Sequence, residues 1–207
     1  MSNYLRTQIP GGTYFFTVVT EQRRPILTNA DVRKALHVAI VETRRTRPFR
    51  IDGWVLLPDH LHCIWTLPDG DADFSTRWKK IKRDVSVACA ESYLQPDLLN
   101  PRRRTKGHST LWQHRFWEHA IANEQEFKSY LDYLHWNPMK HGLITRILDW
   151  PWSSFHRVYA ARRLFCGLVY CKKPLPFINR RVTPALLHIR SALVGRVQPA
   201  TSMTYSP

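Results

Sequence analysis

Two histidines, His60 and His62, stand two positions apart in the apolar segment LLPDHLHCIW, residues 56–65. Side chains alternate between the two faces of a β-strand, so residues two apart share a face and lie roughly 7 Å apart along the strand. Two imidazoles placed in this way can bind one metal ion. Two ordinary, half-exposed histidines would show the same spacing, so the motif alone leaves both interpretations open.

A polar pair with helical spacing, Tyr133 and Asn137, lies in the segment EQEFKSYLDYLHWNP, residues 124–138. A helical wheel places the pair on the flank of an apolar stripe that consists of Phe127, Leu131 and Leu134, with Tyr130 at its edge. Tyr133 is therefore free to do something other than pack, although a rim tyrosine with a solvated hydroxyl fits the pattern equally well. Pro138 disfavours helical geometry at the residue before it, which predicts that the helix ends near Asn137.

The elements that must position these residues follow from the periodicity of the chain. Strands are predicted for TYFFTVVT (13–20), FRIDGWVLL (49–57), HLHCIWTL (60–67) and, on a weaker pattern, RFWEHAIA (115–122). Amphipathic helices are predicted for residues 29–45, with Asn29 as N-cap, and for residues 73–92, with Ser75 as N-cap. The order β-α-β-β-α-β is typical of an α+β, ferredoxin-like fold, a split βαβ antiparallel sheet with helices on one face.

This arrangement gives the two faces of the sheet different roles. Leu61, Cys63 and Trp65 would point into the helix-covered core, whereas His60 and His62 would lie on the open face. Trp78 belongs to the apolar face of the second helix. The same helix places its basic residues mostly on the outside, namely Arg77, Lys79, Lys80 and Arg83.

The charge of the chain is strongly one-sided. Its 31 Lys and Arg residues against 16 Asp and Glu residues give a net charge of +15 and a pI of about 10.2. Nine basic residues and no acidic residue lie from Pro151 to Pro207. Such a surface attracts polyanions, so we favour nucleic acid or an acidic membrane surface as its partner over a purely solubilising role. We predict one domain over residues 1–156 and a basic C-terminal tail over residues 157–207.

Membrane, secreted and disulfide-rich classes are disfavoured. No stretch approaches the roughly 20 apolar residues that a membrane helix needs, and the start MSNYLRTQIPGGTYFF lacks the pattern of a signal peptide. The cysteines at positions 63, 89, 166 and 171 have no C-x-x-C spacing, which argues against a zinc knuckle and a disulfide framework. These features predict an intracellular protein whose thiols are buried apolar groups.

Six segments carry a specific resemblance: GGTYFFTVVT, VLLPDHLHCIWTLP, DFSTRWKKIKR, WQHRFWEH, YLHWNPMKHGL and DWPWSSF. They are spread over residues 10–156. In this order along the chain they resemble the HUH single-tyrosine transposases, specifically the REP-associated tyrosine transposase branch. The resemblance implies a metal-dependent single-stranded DNA endonuclease and strand transferase that acts on hairpins of repetitive extragenic palindromes. Cleavage would leave the enzyme attached to a 5′ phosphate through a tyrosine.

By position, the resemblance identifies Tyr133 as the nucleophile and His60 and His62 as the metal-binding pair. Asn137 matches the polar residue that completes the metal site, although the broader superfamily has Gln there. Two neutral imidazoles and an amide bring no negative charge, so a divalent ion would also need the substrate phosphate, and we expect Mg²⁺ or Mn²⁺ rather than structural zinc. The sequence does not identify the base for the tyrosine; Lys140 and His141 are candidates through proximity in sequence only.

The expected partner is single-stranded DNA with hairpin structure, bound by a monomer or homodimer in the prokaryotic cytoplasm, at the nucleoid. Contacts with this DNA are predicted for seven basic residues: Lys79, Lys80, Arg83, Arg115, Lys140, Arg162 and Arg163. Two other classes stay open. One is a non-catalytic regulator on the same scaffold that binds single-stranded DNA or RNA. The other is a hydrolytic metallonuclease that activates water and would not need Tyr133.

Overall fold

The strands form where β-branched and aromatic residues are concentrated. In the computed structural model, which describes residues 8–98 and 109–159, the strands are β1 (Thr13–Val19), β2 (Arg50–Leu56), β3 (His60–Thr66) and β4 (Trp117–Ala120). The helices are α1 (Ala30–Thr46), α2 (Phe74–Ala88), α3 (Ala90–Tyr93) and α4 (Glu124–Lys140). Short 3-10 turns span Glu21–Arg23, Pro96–Leu98 and Ile147–Asp149. The predicted order of strands and helices is confirmed, with the short α3 added after α2.

The four strands form one antiparallel sheet in the order β2-β3-β1-β4. One strand therefore separates β1 from β2, and likewise β3 from β4. In the register of the two central strands, Thr17 of β1 lies opposite His62 of β3, and Val19 lies opposite His60. This register places the histidine-bearing strand between two neighbours, in the interior of the sheet.

One face of the sheet is covered by α1 and α2. Leu61, Cys63 and Trp65 point into this core, as predicted, and the indole rings of Trp65 and Trp78 stack with centroids 4.3 Å apart. The buried stripe of α1 consists of Val32, Leu36, Ala39 and Thr43. Burial of these apolar side chains is the main contribution to the stability of the fold.

Two details of α2 differ from the sequence-based expectation. Its N-cap is Asp73, whose carboxylate accepts a hydrogen bond from the amide of Thr76, rather than Ser75. Arg77 was expected on the outer face, but only 1% of it is exposed. Its guanidinium donates to the carboxylate of Asp71 at 2.6 Å and to the carbonyl oxygens of Pro48 and Asp73, both at 2.8 Å. Chain segments that fold over the end of the helix therefore bury a charge that the helical wheel placed outside.

The other face of the sheet, which α1 and α2 leave open as expected, is covered by α4. Phe15, Val55 and Ile64 form a second core there with Tyr130 and Leu134 of the helix. Phe127 and Leu131 pack partly buried against this core, which confirms the predicted stripe. The three long helices therefore do not all lie on one face of the sheet. α1 and α2 share one face, and α4 lies on the other.

Gly53 of β2 allows this close packing. A Cβ atom at position 53 would lie 2.9 Å from Leu131 Cδ1 and 3.3 Å from Leu134 Cδ1. The register of β2 against β3 also shifts between Ile51 and Gly53. A residue without a side chain at this irregularity lets α4 approach the sheet, which positions the residues further along the helix.

The last turn of α4 continues beyond the predicted end at Asn137. Pro138 lies inside the helix, and the amide of His141 donates to the Asn137 carbonyl oxygen at 3.1 Å. The helix ends before Gly142, whose φ of +69° is the left-handed conformation common after helix C-termini. Proline disfavours the helical conformation of the residue before it, here Asn137. The packing of α4 on the sheet outweighs this preference, and the helix continues through Pro138.

All described residues belong to one compact unit, which lies within Met1–Leu168. Within these residues Cys63 and Cys89 are buried free thiols, as expected, whereas Cys166 and Cys171 lie outside the described residues. The predicted tail from residue 157 is described only as far as residue 159. None of the helices found in residues 8–98 and 109–159 is long and apolar enough to cross a membrane.

Candidate active site

The two histidines of β3 form a buried pair beneath α4. Their ring centroids lie 4.9 Å apart and their planes are nearly perpendicular. Exposed fractions of 4% for His60 and 3% for His62 differ both from the expected placement on an open face and from the alternative of two half-exposed histidines. The common orientation was predicted correctly, but α4 shields both rings from bulk water.

Each imidazole is held through its Nδ1 atom. The Nδ1 of His60 lies 2.6 Å from Oδ1 of Asp59, and the Nδ1 of His62 lies 2.9 Å from the hydroxyl oxygen of Thr17. The Nε2 atom of His62 is buried and has no hydrogen-bond partner. A histidine fixed through one nitrogen presents the other to a ligand, the usual arrangement for metal-binding imidazoles.

One stripe of α4 faces this pair. Tyr133, Asn137 and His141 follow each other at intervals of four residues, so they lie on the same side of the helix. The Tyr133 ring lies 5.5 Å from the His62 ring, and the His141 ring lies 5.2 Å from the His60 ring, between centroids. On this stripe Asn137 lies between Tyr133 and His141, the two residues whose rings contact the histidines.

Asn137 was expected on the flank of the helix, but it is fully buried. Its exposed fraction is 0%, and neither its amide nitrogen nor its amide oxygen has a hydrogen-bond partner. A buried polar group without a partner costs about 1–3 kcal/mol, so such groups are rare unless a ligand satisfies them. The unpaired amide and the unpaired Nε2 of His62 therefore indicate a ligand site.

A divalent cation fits this donor set. Two imidazole nitrogens and one amide oxygen suit Mg²⁺ or Mn²⁺ when a phosphate completes the coordination. No group of three or more His, Cys, Asp or Glu side chains that could hold a metal occurs within the described parts of the chain. Metal binding by His60, His62 and Asn137 stays a prediction.

Burial and positive charge favour the neutral form of His62 and His141. Burial is the main cause that lowers the pKa of His62 well below its usual value, followed by the charges of His60, His141, Lys140 and Arg23. The pKa of His141 is also lowered, chiefly by burial and by His60. For Asp59 burial raises the pKa, but the hydrogen bonds and charges of His60 and Arg23 outweigh it and lower the pKa to about 2. Neutral imidazole is the form that binds metals.

Tyr133 is half-buried and has one charged neighbour. The ammonium of Lys140 donates a hydrogen bond to its hydroxyl at 3.4 Å and lies 4.8 Å from the centroid of its ring. Lys140 itself is exposed. The ammonium therefore lies against both the hydroxyl and the ring of Tyr133.

The other predicted DNA-binding residues do not converge on Tyr133. Lys79, Lys80 and Arg83 belong to α2, in the helix layer on the opposite face of the sheet. Lys80 also forms an ion pair with Asp84 at 2.6 Å. Arg115 is exposed just before β4. Their contact with DNA stays a prediction, and Arg162 and Arg163 lie outside the described residues.

Sequence reasoning missed several residues around the histidines. Asp59 and Thr17 hold the imidazoles, and Arg23 donates to Asp59 at 2.7 Å. Asp59 precedes His60 directly, and this adjacency was the available signal for it. Arg23 comes close only through the folding of a distant turn, so the local pattern gave no signal.

Comparisons with known proteins identify a family and several relatives of this chain. The family described as "Transposase IS200 like" matches residues 10–137. The chain is 45% identical over 157 residues to the REP-associated tyrosine transposase of Escherichia coli (strain K12), covering 76% of this chain and 84% of that protein. A relative from Haemophilus influenzae is 37% identical over 158 residues, covering 76% and 87%. A solved structure of a REP-associated tyrosine transposase bound to a REP hairpin matches with a TM-score of 0.67 and 41% identity, covering 86% of this chain and 96% of that chain.

Proposed function

This chain belongs to the IS200-like transposase family, and within it to the REP-associated tyrosine transposases, and from this we propose how it cleaves DNA. Members of the family are DNA-cleaving enzymes, and palindromic repeats are the expected targets. The proposed reaction is cleavage of single-stranded DNA beside a hairpin, with transfer of the strand through a covalent 5′-phosphotyrosine at Tyr133.

The observation that supports this proposal is the contact of Tyr133 with His62 across the interface of α4 and the sheet. The two rings lie 5.5 Å apart within one chain, beside the unpaired amide of Asn137. A nucleophile and a set of ligands for a phosphate-bound cation therefore share one small space. A residue that only packs at the rim would not need buried, unpaired donors and acceptors beside it.

We propose His60, His62 and Asn137 as the residues that hold the cation. When bound, Mg²⁺ or Mn²⁺ would act as a Lewis acid on a non-bridging oxygen of the scissile phosphate. The neutral state of His62 and its free Nε2 support this role. Thr17 and Asp59 keep the two rings in place.

In the proposed step the Tyr133 oxygen attacks phosphorus. A bond forms between this oxygen and phosphorus, and the bond from phosphorus to the 3′ oxygen breaks. The phenol loses its proton and the departing 3′ oxygen gains one, so the charges balance. Lys140 stabilises the negative phenol oxygen through the contact at 3.4 Å. One phosphodiester replaces another, so the released 3′ hydroxyl can reverse the step without an energy-rich cofactor.

The DNA partner is proposed to be a hairpin with adjoining unpaired nucleotides. Lys140 and Trp136 are exposed on α4 next to Tyr133, and 41% of Trp136 is accessible. An ammonium and an indole in this position suit a phosphate and an unpaired base. The net charge of +15 supports binding that weakens steeply with salt. Such a substrate would place the protein at the prokaryotic nucleoid in the cytoplasm.

A denaturing gel tests the proposal. The protein is incubated with 5′- or 3′-labelled single-stranded palindromes and Mn²⁺, and a covalent protein–DNA band is expected that carries the 3′-labelled fragment. Tyr133→Phe should abolish cleavage and the band while hairpin binding persists. Cleavage that survives in Tyr133→Phe would instead support the hydrolytic metallonuclease. Binding without any cleavage in the natural protein would support the non-catalytic regulator.

A further inference from the structure

Asp59 closes the turn between β2 and β3 and uses both carboxylate oxygens. Oδ1 lies 2.6 Å from Nδ1 of His60, and Oδ2 accepts from Nη1 of Arg23 at 2.7 Å. An ionised carboxylate only accepts hydrogen bonds, so the proton of His60 lies on Nδ1. In a neutral imidazole with its proton on Nδ1, the lone pair lies on Nε2, the atom available to a metal.

The turn that carries Asp59 is fastened to the chain after β1. The carbonyl oxygen of Asp59 accepts from both the amide and the hydroxyl of Thr20, each at 2.9 Å. The carbonyl oxygen of Pro58 accepts from the amide of Leu27 at 2.8 Å. Three hydrogen bonds from Thr20 and Leu27 therefore hold the backbone of this turn, and the ion pair with Arg23 holds the carboxylate itself.

Arg23 reaches Asp59 from an unusual backbone conformation. Gln22 and Arg23 have φ angles of +52° and +53°, in the left-handed region that residues other than glycine rarely adopt. Two successive residues of this kind persist only where surrounding contacts hold them, and such positions cluster at functional sites. Here the conformation directs a guanidinium at the carboxylate behind a site histidine.

We propose that Asp59, held by Arg23, is a positioning residue that fixes the ring orientation and the Nδ1–H tautomer of His60, so that Nε2 faces the proposed cation. This inference rests on the proposed function for the identity of the ligand. Its geometric part, the control of the His60 tautomer, stands without metal or DNA. A carboxylate behind a histidine also makes the imidazole a stronger ligand.

The two histidines are supported unequally. His62 is held by the neutral hydroxyl of Thr17, whereas His60 is held by a carboxylate. None of the proposed ligands is negatively charged, and Asp59 supplies a negative charge one hydrogen bond away from His60. The site therefore depends on Asp59 more than on Thr17 for cation affinity.

The tautomer is tested by nitrogen NMR of histidine-labelled protein without metal or DNA. His60→Gln identifies the His60 signals. The natural protein should show Nδ1–H at His60, and Asp59→Ala should move the proton toward Nε2, the position favoured in free imidazole. Asp52→Ala is the matched control, because Asp52 pairs with Arg50 on the same hairpin at 2.6 Å and has no histidine partner. An unchanged His60 signal in Asp59→Ala would overturn the proposal.

Cation affinity is tested by electron paramagnetic resonance of Mn²⁺ with Tyr133→Phe protein bound to a hairpin. Adding Asp59→Ala should weaken Mn²⁺ binding by about 10- to 100-fold, and Asp59→Asn, which retains an acceptor oxygen, should fall between. Hairpin affinity without metal should stay within about twofold. Mn²⁺ affinity unchanged in Asp59→Ala contradicts the positioning role. A Tyr133→Phe complex that binds no Mn²⁺ contradicts the proposed function instead, and the NMR result then decides the positioning role alone.

Discussion

The ammonium of Lys140 lies 3.4 Å from the hydroxyl oxygen of Tyr133, almost two helical turns along the same helix. The same nitrogen lies 4.8 Å from the centroid of the phenol ring. This relationship gives the half-buried phenol a positive neighbour on its solvent side. It also argues against Lys140 as the base for the tyrosine, because an ammonium that donates a hydrogen bond to the phenol cannot at that moment remove its proton.

Lys140→Gln is expected to slow covalent cleavage. We expect a loss of roughly tenfold, less than the 10²–10³ typical of an enclosed donor, because Lys140 is exposed. Single-turnover rates of adduct formation at saturating hairpin provide the measurement. Lys128→Gln is the control, since Lys128 lies on the same helix and pairs with Glu124 at 2.7 Å. Equal rates for Lys140→Gln and the natural protein would exclude a role in the chemical step.

Asn137→Leu is expected to stabilise the fold while abolishing cleavage. Leucine removes the two buried, unpaired amide atoms, and relief from one such group is worth about 1–3 kcal/mol. Thr43→Val is the matched control, because its buried hydroxyl also has no hydrogen-bond partner but lies in α1, on the other face of the sheet. Urea unfolding should show both variants stabilised, and only Thr43→Val should cleave. A destabilised Asn137→Leu would mean that the amide serves packing rather than a ligand.

The nucleophile and the histidines are expected to act within one chain. Tyr133 already contacts His62 of its own sheet, with 5.5 Å between ring centroids. Mixing Tyr133→Phe with His60→Ala protein should therefore not restore cleavage, at any ratio or concentration. Adduct formation by the mixture would show that a partner subunit supplies the tyrosine, and would favour a homodimer over a monomer.

Local patterns predicted the parts of this site that depend on one element. The alternation of β3 placed His60 and His62 on one face, and the helical period placed Tyr133 and Asn137 side by side. The burial of the histidines was missed, because it depends on α4 packing against the second face of the sheet. The strand pattern alone does not show that a helix from later in the chain covers this face.

Long-range contacts account for the other differences. Arg77 is buried because Asp71 and the backbone at Pro48 fold over it, and a helical wheel does not show such contacts. Arg23 lies 36 residues before Asp59, and a left-handed turn rather than a periodic pattern directs it there. Asn137 remained helical despite Pro138 because tertiary packing outweighed a local preference.

The pair of Asp71 and Arg77 predicts a pH-dependent contribution to stability. Hydrogen bonds from Arg77 are the main cause that lowers the pKa of Asp71 in the folded protein. Ionised Asp71 therefore stabilises the fold above the ordinary pKa near 4, and this contribution is lost as the pH falls through the lower folded pKa. Asp71→Asn should cost about 1–2 kcal/mol at pH 7 and much less at pH 3. Urea unfolding at both pH values checks this, with the exposed Asp69→Asn as control. A difference in unfolding free energy between Asp71→Asn and the natural protein that is the same at pH 7 and pH 3 would contradict the ion pair.

Trp136 is expected to bind an unpaired base next to the scissile phosphate. It follows Tyr133 by three residues on α4, and 41% of it is exposed. Its neighbour at i+4, Lys140, adds a positive charge to the same surface. Stacking is worth about 1–3 kcal/mol per base, so Trp136→Ala should weaken binding of a hairpin with an unpaired flank by about 5- to 150-fold.

Fluorescence anisotropy measures this loss of binding by Trp136→Ala. A blunt hairpin without unpaired nucleotides should bind the variant and the natural protein alike. Val38→Ala is the control, because Val38 is an exposed apolar residue of α1, in the opposite helix layer. Equal losses for blunt and flanked hairpins would show that Trp136 contacts the duplex rather than an unpaired base.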